Sequence, residues 1–272
     1  MINAFRLILI IVLLAPFQSR AAGDTTIAIA IKHNGAHLYY PHEVARFYKQ
    51  NGYQLAWIAP DTLKTHVWDA MLLLDCVRQY GLNHEDYHPN LLLYPELHQL
   101  IDQKGTHEAA AAYDILLTDA MIRFINNLHY GKLNPVYTMR RIDKGVKYKA
   151  ELELFTALQG NDFSGAIDAA QPKSKLYINL KDHMRLLVGQ RSGDCYVIPP
   201  SLIRKMAINM ERLRWISTTG KNTHLTCIVR EGVVINYKDI HHPDKQLESA
   251  LYNENQTLNN RLVLPEIIIQ KQ

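Results

Sequence analysis

The sequence predicts a mainly α-helical bundle followed by a short β-rich C-terminal segment, and three observations carry that reading. The stretch from Glu108 to Pro135 repeats Tyr113, Leu116, Leu117, Ala120, Met121, Phe124 and Leu128 at three- and four-residue steps, and Ile115, Ile122 and Ile125 widen the stripe. Shorter stretches of the same period flank it on both sides, from His42 to Leu213. Beyond residue 216 the pattern changes to HLTCIVREGVVINY, two β-rich runs meeting at Arg230-Glu231-Gly232 as a hairpin would. A helix as apolar as the central one belongs inside a bundle. Gly131 and Pro135 stop it, and Asp119 with Arg123 falls at the spacing of a helix-surface ion pair.

Residues 1–21 have the three regions of a signal peptide: Arg6, the apolar run Leu7 to Leu14, and Ser19-Arg20-Ala21 before a cut expected after Ala21. The apolar run is too short for a membrane-spanning helix, which needs about 20 apolar residues. The expected product is periplasmic or secreted, with no transmembrane segment after cleavage. Residues 22–41 form an N-terminal lead-in. Within it TTIAIAIK alternates Ile27, Ile29 and Ile31 with smaller residues, the period of a short strand or extended piece.

From His42 a helix presents Val44, Phe47 and Tyr48 on one face and ends at Asn51-Gly52. Tyr53, Leu55 and Trp57 then alternate as an extended piece whose aromatics plug the bundle. A second helix runs from an N-cap at Asp61 through Val67, Met71, Leu74 and Val77 to Gly81. Cys76 lies in its apolar run and reads as a small buried hydrophobe. YGLNHEDYHP is a helix exit, Leu91 to Ile101 a third helical stretch, and Lys104-Gly105 its break.

After the central helix, Val136 to Lys149 reads as a solvated basic loop. Its Arg140, Arg141, Lys144 and Lys147 could also meet an anionic polymer. Helical segments at Leu152–Leu158, Phe163–Ala170 and Leu176–Val188 follow, then a Gly- and Pro-rich linker at 189–200. Ser201 caps a helix carrying Leu202, Met206, Met210 and Leu213, whose Arg212 and Arg214 pair with acids of the bundle.

Composition sets limits. At 47% hydrophobic and 21% charged residues over 272 positions, the chain is ordinary globular protein with enough length for a real core. The formal charge of +4 drops by two when Arg6 and Arg20 leave with residues 1–21, too weak a basic balance to imply nucleic acid. Of the three cysteines Cys76, Cys195 and Cys227, none sits in a CxxC pair, so neither metal nor cofactor is implied.

Four peptides in order resemble the helical scaffold domain that precedes the catalytic domain in bacterial L,D-transpeptidases. They are VARFYKQNGYQLAW at 44–57, YGLNHEDYH at 80–88, AAYDILLTDAMIRFINNLHYGKLNP at 111–135 and NMERLRW at 209–215. The resemblance covers 42–216 and implies a scaffold-like helical domain there, with 217–272 as a short β-rich remnant or tail. In that family a Cys in a Ser-His-Gly-Cys motif, followed closely by Arg, attacks the peptide carbonyl. A nearby His helps ionise the thiol, and backbone donors with the Arg stabilise the developing charge.

No Ser-His-Gly-Cys occurs in this sequence. The pair left as catalytic candidates, His224 and Cys227, would project to opposite faces of a strand at a three-residue offset. The resemblance therefore implies a non-catalytic envelope protein associated with peptidoglycan or an envelope partner. The alternative is an active or split L,D-transpeptidase using Cys227 or a partner subunit. Tyr53, Trp57, Tyr87 and His88 are the candidate binding residues, aromatic and basic side chains at helix exits that could line a groove for a sugar or peptide.

Overall fold

A computed structural model describes residues 18–58, 66–134, 136–189, 200–218, 227–230 and 233–237. Its helices are α1 (Gln18–Asn34), α2 (Pro41–Gln50), α3 (Val67–Asp75), α4 (Tyr94–Ile101), α5 (His107–Tyr130), α6 (Met139–Lys144), α7 (Ala150–Gln159), α8 (Phe163–Asp168), α9 (Lys175–Gly189) and α10 (Pro200–Thr218). Single 3-10 turns at Val77–Tyr80 and His84–Asp86 link α3 to α4. Strands β1 (Cys227–Arg230) and β2 (Val233–Tyr237) pair antiparallel, with an irregularity between Ile228 and Val229. The rest of 217–272 after Thr218 lies outside the described residues.

The long apolar stretch forms the axis. Thr106 caps α5 by accepting the Ala109 N–H at 3.2 Å, and α1, α2, α3, α4, α7 and α10 all pack on α5. Side chains on every side of α5 are therefore buried, from Ala110 to Tyr130, polar ones included. Gly131 ends the helix at φ 86°, and a Cβ there would stand 2.6 Å from both Glu211 Oε1 and Trp215 Nε1. The helix stop is thus also the seat of α10, which approaches the backbone where no side chain intervenes.

Two expectations are corrected at the N-terminal side. Residues 27–31 are helical, in α1, because the buried positions are Ile27 and Ala30 at three-residue spacing while Ile29 is 55% exposed. The alternation of isoleucines was coincidental to a 3.6-residue period. Likewise 53–57 is not a strand: the chain turns at Tyr53 (φ 52°) and bends from Ala56 to Ile58, although Trp57 does plug the core.

The basic segment 136–149 is not all loop: α6 lies inside it, capped by Thr138 and anchored by Ile142. Its Asp143 explains the need for it. Helix α2 starts with Pro41 and has no side-chain cap of its own, and Asp143 Oδ1 accepts the N–H groups of His42 at 2.9 Å and Glu43 at 3.0 Å. A carboxylate at that end also meets the positive pole of the α2 dipole.

A smaller core joins α9 to α10, with Tyr177, Leu180 and Met184 against Met206, Met210 and Leu213. Helix α10 begins at Pro200, so Ser201 lies inside its first turn instead of capping it, as the preference of Pro for that turn allows. Arg214 of α10 is fully buried; it meets Glu211 at 3.5 Å but donates chiefly to Tyr177 Oη and to the Tyr80 carbonyl at 2.6 Å. Arg212 Nε is buried without a hydrogen-bond partner. Among the described residues, no helix is long and apolar enough to cross a membrane.

Candidate functional site

The polar side chains of α5 face inward and hold loops. Asp114 accepts the N–H groups of Ala56 at 2.9 Å, Trp57 at 2.8 Å and Ile58 at 3.1 Å, together with the Tyr48 hydroxyl at 2.6 Å. Burial pushes its carboxyl up from the ordinary range, and these donors pull it back. One turn on, the Thr118 hydroxyl accepts Trp57 Nε1 at 2.9 Å.

Asp119 is no surface ion pair. It is fully buried and accepts the N–H groups of Tyr39 and Tyr40 at 3.0 and 2.8 Å, with His88 Nε2 at 2.7 Å. Arg123 instead lies 3.7 Å over the Tyr39 ring and pairs with Asp86 at 3.0 Å. A loop without its own ladder finds its acceptor in the helix it packs on, which explains both aspartates.

These contacts account for the residues singled out from sequence. Trp57 is buried against Thr118 and Phe163, His88 is clamped by Asp119 with its ring stacked on Tyr39, and Tyr53 lies half-buried in the turn after α2. Tyr87 is buried, takes the Asn127 side-chain N–H at 2.9 Å, and contributes to the wall of a pocket. Of the four, Tyr87 is in that pocket's lining and Tyr53, Trp57 and His88 are not. His224 lies outside the described residues, and Cys227 opens β1.

A second polar cluster joins α2, α5 and α7. Glu43 is buried and takes Asn126 Nδ2 at 2.7 Å, and Arg46 Nε donates to Glu151 at 2.7 Å. Burial first, then the negative charge of Glu151, pushes the Glu43 carboxyl up to about 8. Glu43 Oε1, Asn126 Oδ1, Glu151 Oε2 and the Tyr148 hydroxyl have no hydrogen-bond partner. Among the described residues no group of His, Cys, Asp and Glu could hold a metal ion.

Among the described residues an open site lies between α3, α4 and the loop that joins them. A pocket of about 290 Å³ is lined by Met71, Leu74, Leu92, Leu93, Pro89, Pro95 and Tyr87, with Asp75, His84 and Tyr94 as its polar members. The Tyr94 hydroxyl donates to Asp75 Oδ2 at 2.5 Å, and His84 Nε2 stands 3.5 Å from Asp75 Oδ1. Beside it Trp68 lies parallel to Tyr94, ring centres 6.3 Å apart. Of the pocket's lining Leu93 and Tyr94 stay exposed, as do Trp68 (41%) beside Tyr94, Leu72 (60%) of α3 and Leu91 of the connecting loop, so the α3–α4 segment carries much apolar surface.

Sequence reasoning missed this face, although a signal existed. Val67, Ala70, Met71 and Leu74 form the buried stripe of α3, while Trp68, Leu72 and Asp75 recur at i, i+4 and i+7 on the opposite side. Cys76, expected inside, is exposed, because it follows the last turn of α3 where the chain leaves the core.

A family model described as the Scaffold domain matches residues 42–184, more than half of the chain. The chain belongs to the Scaffold domain family. Comparison with curated proteins and with solved structures finds no match. The Scaffold domain match runs from the start of α2 into α9 and so contains α5, its aspartate clamps and the α3–α4 pocket. Helices α1 and α10 lie outside the match, yet both pack on α5.

Proposed function

We propose that this is an exported cell-envelope protein whose Scaffold domain, of the kind found in L,D-transpeptidases, binds peptidoglycan or an envelope partner without performing the cross-linking step. The observation that carries the reading is the α3–α4 segment: an open pocket whose lining includes exposed Leu93 and Tyr94, with exposed Trp68 beside Tyr94 and exposed Leu72 and Leu91 in the same segment. By contrast Asp114 and Asp119 are spent on internal hydrogen bonds, leaving them no free acceptor for a ligand. The non-catalytic half rests on the absence of Ser-His-Gly-Cys from the sequence. The exported half rests on the three-part pattern of residues 1–21.

The test is retention on purified sacculi. The wild-type protein is retained, and Trp68→Ala with Leu72→Ser, two exposed changes that spare the core, releases it. Absence of retention by the wild type overturns the peptidoglycan half. For the chemistry, Cys227→Ala leaves muropeptide cross-links unchanged; a loss of cross-links restores the transpeptidase alternative.

A further inference from the structure

The pocket has a composition that selects among ligands. Its floor is apolar, with Met71, Leu74, Leu92 and the Tyr87 ring, and no Lys or Arg lines it. Its rim carries a single carboxylate, Asp75, which accepts the Tyr94 hydroxyl and has His84 Nε2 3.5 Å away. No described Lys or Arg forms an ion pair with Asp75 at the end of α3, whereas Asp86, in the second 3-10 turn of the connection to α4, is paired with both Arg123 and Lys132. Tyr94 of the lining lies parallel to exposed Trp68, which stands beside the pocket with the His98 ring 4.9 Å away on its own flank.

Each feature excludes something. A rim whose carboxylate has one histidine beside it and no paired Lys or Arg gives phosphate and carboxylate ligands no fixed positive charge to meet. A sugar ring, with hydroxyls around its whole circumference, would leave most of them against an apolar floor that offers no partner. What fits is an amphipathic chain, apolar along its length and cationic at its end. At about 290 Å³ the cavity lies just below the range of about 300–1,000 Å³ typical of ligand clefts, a size for one side chain and the backbone beside it.

We propose that this pocket takes a lysine-like side chain, an aliphatic stem ending in a primary ammonium, presented by a peptide. The stem lies along Met71, Leu74 and Leu92. The ammonium reaches Asp75 at the rim and the aromatic faces of Trp68 and Tyr94, where cation–π attraction adds to the charge pair. This assignment rests on the reading of the α3–α4 face as the binding surface and names the chemistry that face accepts.

The test is an NMR titration of the full chain with acetyl-Ala-Lys-Ala-amide, its Nε-acetylated form and the norleucine analogue. The lysine peptide shifts the Trp68 indole and the His84 ring, and the two uncharged peptides bind about tenfold more weakly or less, since they lose both the charge pair and the cation–π contact. Asp75→Asn, nearly isosteric and on the surface, abolishes the discrimination while the thermal melt stays that of wild type. Equal binding of lysine and acetyl-lysine peptides overturns the inference, as does persistence of the preference in Asp75→Asn. Binding of a chito-oligosaccharide at these residues in place of the lysine peptide overturns it too. If Trp68 governs retention on sacculi while the lysine peptide fails to bind, this inference falls and the proposed function stands; if both fail, both fall.

Discussion

Replacing Asp114 by Ala tests whether the carboxylates of α5 are structural clamps. The change removes the acceptor for three backbone N–H groups, those of Ala56, Trp57 and Ile58, and for one of the two contacts of the Tyr48 hydroxyl, which keeps Thr118 at 2.8 Å. Leaving a buried donor without a partner costs about 1–3 kcal/mol. Ala56 is only half-buried and can turn to water, so the sum over the loop comes to about 3–5 kcal/mol. Set against a domain stability of about 5–15 kcal/mol, that is a large share. The assay is urea unfolding followed by circular dichroism. Asp114→Asn keeps the size and one carbonyl oxygen and is expected to lose less than the Ala variant. A loss below about 1 kcal/mol in Asp114→Ala would refute the clamp, because it would mean that the three amides find other partners at no cost.

Three further outcomes are expected. With the Glu43 carboxyl raised from 4.5 to about 8 by burial and by Glu151, the folded state holds a proton that the unfolded chain has released. Stability from this group is therefore full below about 4.5 and falls as pH rises to about 8; Glu43→Gln flattens that slope in thermal melts taken across the window, and an unchanged slope refutes the assignment. Gly131→Ala, at φ 86° and with its Cβ 2.6 Å from Glu211 and Trp215, forces α10 off its seat. It exposes α10 to limited proteolysis before the rest of the bundle, and wild-type protease resistance would contradict this. Cys76, exposed and with its thiol pushed up by partial burial and by Asp75, reacts with a maleimide in the native protein more slowly than a free thiol does; reaction only in urea would contradict its placement.

What the sequence revealed was whatever a periodic pattern encodes. The apolar stripe of α5, its stop at Gly131 and the face Val44–Phe47–Tyr48 of α2 are local regularities, and the structure has them where the spacing put them. What was not legible depends on partners far along the chain. Asp119 and Arg123 at i,i+4 are geometrically able to pair, but Asp119 is taken by amides about 80 positions away. Asp143 caps a helix that begins 102 residues earlier, at Pro41. Helix α6 was hidden because a six-residue amphipathic turn leaves no repeat to detect. The pocket was hidden for another reason: hydrophobic residues on both faces of α3 read as one apolar run, and only the packing shows that Trp68 and Leu72 are left outside.

The central claim is that the inward polar groups hold the Scaffold domain together while the α3–α4 face meets the ligand. Mapping amide and indole NMR shifts on the full chain during titration with soluble muropeptides tests it most directly. The account predicts perturbations gathered at Trp68, Leu72, Asp75, His84 and Leu91 to Tyr94, with the amides of Ala56 to Ile58 unmoved. Shifts gathered instead at Arg140, Arg141, Lys144 and Lys147 would contradict it.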